Sequence, residues 1–375
     1  MTGFWHITWL ISPELLIESL VLSAIAAATL SLLVIFGGPV DKPRERGVHL
    51  RPTPTSGGLA VMAGAALVIG AIVYLNSALI PGNLRDGLLL FGFASLMGLS
   101  GALDDLIDMP PQWRLGFQIG LCLIFAYYYR VTTLSFGGGL IVYVPPFFGL
   151  IGSAAWLLLG INAINFMDGS NGLAPGTQAI ALLVISLLII IMAPFSPLGS
   201  YLGVILLICV CALGAHLGFL PFNLPLGRAF QGDAGALFGG ALITGACLVI
   251  KAYAVGSVWF GGFLLAPLLV DVVLTLVVRI RQRKNLFRPH KEHLYQLWLQ
   301  RRDPSHGRLA IRIWMLCAIS GLTGLGARLL NAFLHYDVRF YALVVILAIY
   351  SACWLSIRKR LMVEPGASLT ASAKP

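Results

Sequence analysis

Long apolar runs, each about the length of a bilayer crossing, alternate along the chain with short polar gaps. Read in windows of about 19 residues, the pattern predicts helices near 15–36, 57–75, 87–103, 115–129, 147–165, 173–192, 198–219, 236–250, 258–278, 309–330 and 340–357. The expected fold class is therefore an all-α polytopic membrane protein with about eleven transmembrane helices. The fourth and eighth spans are short and are candidates for broken or tilted helices. The gaps leave no room for a separate soluble domain. Residues 1–375 read as a single integral-membrane domain, with a disordered tail over about 361–375.

Composition supports the same class: 58% of residues are hydrophobic, 11% are charged and mean hydropathy is +0.89. A soluble domain carries about a quarter charged residues. The six cysteines fall inside apolar runs without metal-ligand spacing, so they are expected to pack as small hydrophobes rather than form disulfides. The net charge of +10 is unevenly placed. With the N-terminus outside and the C-terminus cytoplasmic, 19 of the 25 Lys and Arg residues fall on the cytoplasmic side, as the positive-inside rule favours. Such a face also attracts anionic lipid head groups and polyphosphates. The basic residues flank membrane spans and form no folded basic module, which argues against nucleic acid as a partner.

Four polar clusters break this pattern: ALDDLIDMP at 102–110, NAINFMDGSNGLA at 162–174, QGDAGA at 231–236 and RPHKEHLYQ at 288–296. Each lies at the edge of an apolar span, and the expected topology places all four on the basic side. Ionisable groups next to hydrocarbon are costly, so their convergence suggests one assembled polar site. Asp104, Asp105, Asp168 and Asp233 offer hard oxygen ligands without thiolates, which suit Mg²⁺ or Mn²⁺ better than zinc. A divalent ion held by a few carboxylates and substrate phosphates serves phosphoryl transfer, where positioning and charge neutralisation dominate. Asn162, Asn165 and Asp168 recur at i, i+3 and form one stripe on a helical face. His290 and His293 beside Arg288 and Lys291 could contact phosphate or assist proton transfer. Asp271, an acid inside the ninth span, is a second-tier site residue. Blander roles compete: helix caps for the aspartates, helix-to-helix hydrogen bonds for the asparagines and solvation for the histidines. His216, His306 and His335 have no comparable context and receive no role.

The order DD, NxxNxxDGxxGLA, GDxG and a His-containing basic loop, with DKPRERGVHLRPTPTSGGLA before the second span, resembles the polyprenyl-phosphate N-acetylhexosamine-1-phosphate transferase family. The resemblance implies a multi-pass, Mg²⁺- or Mn²⁺-dependent enzyme that moves a sugar 1-phosphate from a UDP-sugar to undecaprenyl phosphate and releases UMP. It implies catalytic roles for Asp104, Asp105, Asp168, His290 and His293, and metal binding by Asp233 and Asp168. Asn162 and Asn165 are expected at the nucleotide sugar, with Lys42, Arg46 and Arg288 adding positive potential and Asp271 nearby. Asn171 stands where many members have a second Asp, Thr55 takes a place that is often basic, and PHKEH departs from the histidine pattern of the peptidoglycan enzyme. NFMDGSNG and PHKEHLYQ look closest to the branch that starts O-antigen or other surface polysaccharides, at the cytoplasmic face of a bacterial inner membrane. A rival class is a transporter or flippase for an anionic lipid or nucleotide sugar. The sugar, the polyprenyl length, the base and the oligomeric state, a homodimer included, stay open.

Overall fold

A computed structural model describes residues 10–37, 40–41, 53–75, 83–107, 109–285 and 290–363. The helices are α1 (Pro13–Gly37), α2 (Gly57–Leu75), α3 (Leu84–Ile107), α4 (Pro111–Tyr129), α5 (Pro146–Phe166), α6 (Leu173–Met192), α7 (Gly203–Asn223), α8 (Gly232–Ala252), α9 (Phe260–Leu264), α10 (Ala266–Arg281), α11 (Leu294–Arg301), α12 (His306–Leu334) and α13 (Arg339–Val363). There are also two short 3-10 turns (Ala193–Phe195 and Gly199–Leu202) and two small antiparallel ladders: β1 (Val40–Asp41) with β2 (Thr53–Pro54), and β3 (Thr133–Gly137) with β4 (Leu140–Tyr143). Among the described residues, nine helices are long and apolar enough to cross a membrane. The other two predicted spans coincide with α4 and with the α9–α10 pair. Five of the six cysteines are buried and all six are free, in line with a packing role.

The irregular places differ from those expected. The fourth and eighth spans are continuous helices of 19 and 21 residues. The eighth looked short because Gly232, Asp233 and Gly235, poor helix formers by propensity, make up its first turn. The break falls instead in the ninth span, between Leu264 and Ala266. Pro267 explains it: its ring and missing N–H exclude the helix interior but suit a first turn. At the other extreme of the chain, α13 continues to Val363, through the first residues of the expected tail; 364–375 lie outside the described residues.

Helices α7 and α8 are almost wholly buried and form the centre of the bundle, while α1 and α13 are peripheral and expose apolar side chains such as Leu33 and Val345. Helix α3 packs along α8, and glycines set how close their ends come. A Cβ on Gly101 would lie 2.5 Å from the Asp233 carbonyl carbon and oxygen, and one on Gly58 of α2 would lie 2.1 Å from the Gly235 nitrogen. The missing side chains let the last turn of α3 and the first turn of α2 meet the first turn of α8 backbone to backbone.

The second organising contact is Asp271 of α10, which is 4% exposed. Its Oδ1 accepts from Leu294 N at 2.8 Å, Trp354 Nε1 at 2.9 Å and Thr275 Oγ1 at 3.1 Å, and its Oδ2 accepts from Tyr295 N at 3.4 Å. Leu294 and Tyr295 open α11, so this acid serves as a cap from another helix, joining α10, α11 and α13. Buried, with hydrogen-bond donors on both oxygens, it answers the sequence expectation of a functional intramembrane acid with an anchoring geometry.

Two outcomes follow from these contacts. Gly101→Val should separate the ends of α3 and α8 and reduce substrate turnover at least about tenfold, whereas Gly92→Val, which meets open space, should not; activity of both purified variants checks this. Asp271→Ala strands several buried N–H donors and should cost about 2–3 kcal/mol, with a smaller loss for Asp271→Asn, measurable by thermal unfolding in detergent. An Ala variant as stable as the parent would remove Asp271 as the anchor of α11.

Candidate active site

The last turn of α3, the loop after α5 and the first turn of α8 meet at one end of the bundle. Asp104 secures the corner into α4: its Oδ1 accepts from Met109 N at 2.9 Å and its Oδ2 from Arg114 Nη1. The same Arg114 nitrogen reaches Asp233 Oδ2 at 3.1 Å. Asn165, on the last turn of α5, donates to Asp233 Oδ1 at 2.9 Å. Asp233 is thus oriented through both oxygens, and it also sits at the positive end of the α8 macrodipole.

Backbone contacts fix the walls. Gly57 and Gly58 donate to the carbonyls of Phe230 and Gln231 at 3.0 and 2.9 Å, while Phe230 N donates to Pro54 O at 2.8 Å. Gly232 has φ of +65°, and a Cβ there would lie 2.5 Å from Thr55 O and 2.7 Å from Asp105 Oδ2. Only glycine combines that backbone with so near a carboxylate. Past α5, the chain turns through Asp168 and Ser170 to Gly172, whose N–H donates to Asn223 Oδ1 at the end of α7.

These elements enclose an open cavity of about 320 Å³. Three acids line it, Asp105, Asp168 and Asp233, together with Asn165, Asn171, Asn223, Gln231 and the aromatic rings of Phe166, Phe230 and Tyr295. No Lys or Arg among the described residues lines it. Burial, reinforced by the charges of Asp233 and Asp105, pushes the Asp168 carboxyl well above the usual carboxylate range. The cavity therefore favours an arriving positive charge.

The expected site residues divide on this geometry. Asp105, Asp168, Asp233 and Asn165 come together at the cavity. Asp104 stands just behind it, holding Arg114. Asn162 does not line it; its amide donates to Gln118 Oε1 on α4 at 3.0 Å and to Leu158 O at 2.9 Å. Asp271 is behind α11. Lys42, Arg46 and Arg288 lie outside the described residues. His293 is buried, its ring facing Phe166, Tyr295 and His290 with centroids 5.9, 6.1 and 5.0 Å away and its Nδ1 3.9 Å from Asp271 Oδ1. Neither histidine lines the cavity. Burial, then the proximity of His293 and Arg279, pushes His290 down to about 4. Burial likewise lowers His293, although Asp271 opposes it. Both shifts favour the neutral imidazole.

Several site groups were not singled out in the sequence. Arg114, one of the 19 basic residues placed on the cytoplasmic side and given no other role, joins two of the four clusters. Asn223, the last residue of α7, and Tyr295 with Gln296, at the start of α11, line the cavity. Tyr295 donates to Phe166 O at 3.0 Å, tying α11 to the end of α5. His306 contacts Ser170 at 3.0 Å, and His216 belongs to a buried amide network that reaches Gln231. A polar residue closing an otherwise apolar helix at this end was the available signal for Asn223.

Known proteins are similar in sequence to this chain. Residues 87–251 match the family model described as glycosyl transferase family 4, a segment that runs from α3 to the end of α8 and holds Asp104, Asp105, Arg114, Asn165, Asp168 and Asp233. The decaprenyl-phosphate N-acetylglucosaminephosphotransferase of Mycobacterium tuberculosis is 29% identical, over 75% of this chain and 74% of its own length. The phospho-N-acetylmuramoyl-pentapeptide-transferase of Saccharopolyspora erythraea is also 29% identical, over 74% of this chain and 83% of its own. A phospho-N-acetylmuramoyl-pentapeptide-transferase from Desulforudis audaxviator is 27% identical, over 74% and 86%. The motif-bearing helices match one family model and relatives of this kind align over three quarters of the chain, so the chain is similar to glycosyl transferase family 4 and to the polyprenyl-phosphate sugar phosphotransferases.

Proposed function

We propose that the protein transfers a sugar 1-phosphate, an N-acetylhexosamine or a 6-deoxy derivative of one, from a UDP-sugar to undecaprenyl phosphate. UMP leaves, and a lipid-linked surface polysaccharide of the lipopolysaccharide kind is started at the cytoplasmic face of a bacterial inner membrane. The observation that carries this reading is a cavity lined by three carboxylates at the end of an apolar helix bundle. A lipid phosphate can enter there from the bilayer edge and a nucleotide sugar from water. The activities for which the relatives are named, on decaprenyl phosphate or as phospho-sugar transferases, support the reaction class. They come from two branches at equal identity, so the choice of a surface-polysaccharide sugar rests on NFMDGSNG and PHKEHLYQ.

The donor set fits Mg²⁺ or Mn²⁺. Its ligands are hard oxygens, of the kind that share a cation with substrate phosphates through one or two carboxylates. Asp233, and with it Asp168, would hold the ion, which would offset the negative charge of two phosphorylated substrates.

The chain's own residues have definable tasks in the transfer. Asp105 faces the cavity and is positioned to take the proton of a monoanionic lipid phosphate. A phosphate oxygen then bonds to the β-phosphorus of the UDP-sugar while the bond from that phosphorus to the bridging oxygen breaks, its electron pair leaving with UMP. Asn165 holds the Asp233 carboxylate in orientation, and Arg114 supplies the nearest described positive charge, attached to Asp104 and Asp233. Phe166, Phe230 and Tyr295 provide apolar surface beside the polar groups, as a nucleoside requires. A transporter would be expected to place its binding groups near the midplane, whereas these acids sit at helix ends.

Purified protein given undecaprenyl phosphate, Mg²⁺ and a panel of UDP-sugars should release UMP and form a lipid-linked product with at least one of them. EDTA should stop the reaction and Mg²⁺ or Mn²⁺ restore it. Vesicle uptake of the nucleotide sugar without chemistry would instead establish transport. Asp233→Asn should lower transfer by at least about 10²-fold with little change in melting temperature; near-normal turnover would remove Asp233 from the cation site.

A further inference from the structure

Away from the cavity, the ends of α10 and α13 and the residues leading into α11 are tied together through Glu292. Its carboxylate receives Arg279 Nη1 from the last turn of α10 at 2.7 Å and Lys284 Nζ, just past that helix, at 3.0 Å. Its backbone carbonyl receives Arg358 Nη1 of α13 at 2.8 Å. Arg301, at the end of α11, donates to Leu361 O of α13 at 2.7 Å. Three more basic residues, Arg281, Lys359 and Arg360, stand within two positions of Arg279 or Arg358 and are exposed. Among the described residues, Glu292 is the only acid that forms an ion pair with a Lys or Arg of this corner.

Like charges gathered from several helix ends repel one another, and one carboxylate offsets only part of that repulsion. The positive-inside rule accounts for basic residues at each end, but not for tying those ends to a single acid. The surface beside them is apolar: Ile280, Leu355 and Met362 are 58%, 58% and 54% exposed. Leu355 precedes Arg358 and Lys359 by three and four positions on α13, so apolar and basic groups share one helical face. A soluble anion would answer the charge alone, whereas an amphiphile answers both. We propose that this corner is a binding site for one anionic phospholipid, its phosphate held by Lys284, Lys359 and Arg360 and its acyl chains laid along Ile280 and Leu355. None of these residues lines the cavity, so the surface is separate from the candidate active site. Arg358 lies 5.0 Å over the Trp354 ring, and Trp354 Nε1 donates to Asp271, so the lipid would rest against the support that carries α11.

The test uses the full chain in a neutral detergent, without nucleotide sugar, and counts bound lipid by native mass spectrometry. Phosphatidylglycerol should bind at least about tenfold more tightly than phosphatidylcholine. Lys359→Gln combined with Arg360→Gln, both at exposed positions, should remove about tenfold of that preference. Arg85→Gln combined with Arg130→Gln removes the same charge at the start of α3 and just past the end of α4, the other end of the bundle, and should leave the preference unchanged. Equal affinity for the two phospholipids overturns the proposal, and so does equal weakening by both double variants, which would reduce the effect to overall charge. Inorganic phosphate and undecaprenyl phosphate should not displace phosphatidylglycerol; displacement by the first would make the ligand a soluble anion, and by the second the acceptor lipid, and either overturns the site. Because no transfer is measured, the outcome is independent of the functional reading above.

Discussion

Three carboxylates held around one cavity at the rim of an apolar bundle are the constraint on which the rest of this structure depends. Asp105, Asp168 and Asp233 repel one another, and Asp168 in particular loses hydration. Such an arrangement persists only if the scaffold fixes the acids more strongly than their repulsion separates them. The scaffold does so with backbone. Gly101 and Gly58 allow helices to touch Asp233 and Gly235 directly, and Gly232 adopts a conformation closed to other residues. Charge relief comes from Arg114 and a hydrogen bond from Asn165, both aimed at Asp233. What remains is a cavity with an excess of acidic groups.

Around this centre, polar residues that look alike in sequence have separate duties. Asp104 and Asp105 are neighbours, yet one turns into the α3–α4 corner and the other into the cavity. Asn162 and Asn165 share a helical stripe, yet the first joins α5 to α4 and only the second reaches Asp233. Asp271 and His293 form a buried support beneath α11, whose Tyr295 and Gln296 complete the cavity wall. The motif histidines therefore stand one layer behind the residues that meet the cavity. Burial, and after it the charge of Arg279, pushes both rings toward the neutral form.

Much of this was legible in the chain alone, because a bilayer imposes a one-dimensional signal: every crossing must be long, apolar and helical. The eleven predicted spans coincide with ten single helices and the α9–α10 pair. The places of disagreement have local causes. Gly232 and Asp233 hid the true start of α8, since in a hydropathy window a polar helix start looks like a loop. Pro267 interrupts the ninth span, where uniform apolarity concealed it. The motifs likewise named Asp105, Asn165, Asp168 and Asp233, since acids beside hydrocarbon require a reason.

Sequence by itself determined the membrane class, the places of the long apolar helices and the identity of the acids, because each depends on composition over a short window. Tertiary structure alone decided which member of each polar pair faces the cavity, that Arg114 reaches Asp233, 119 positions away, while also holding Asp104, and that Gln178, His216 and Gln231 meet in one buried network. Those facts depend on helix rotation and on how closely backbones approach. Both are set by packing between residues far apart in the chain, and no local window contains them.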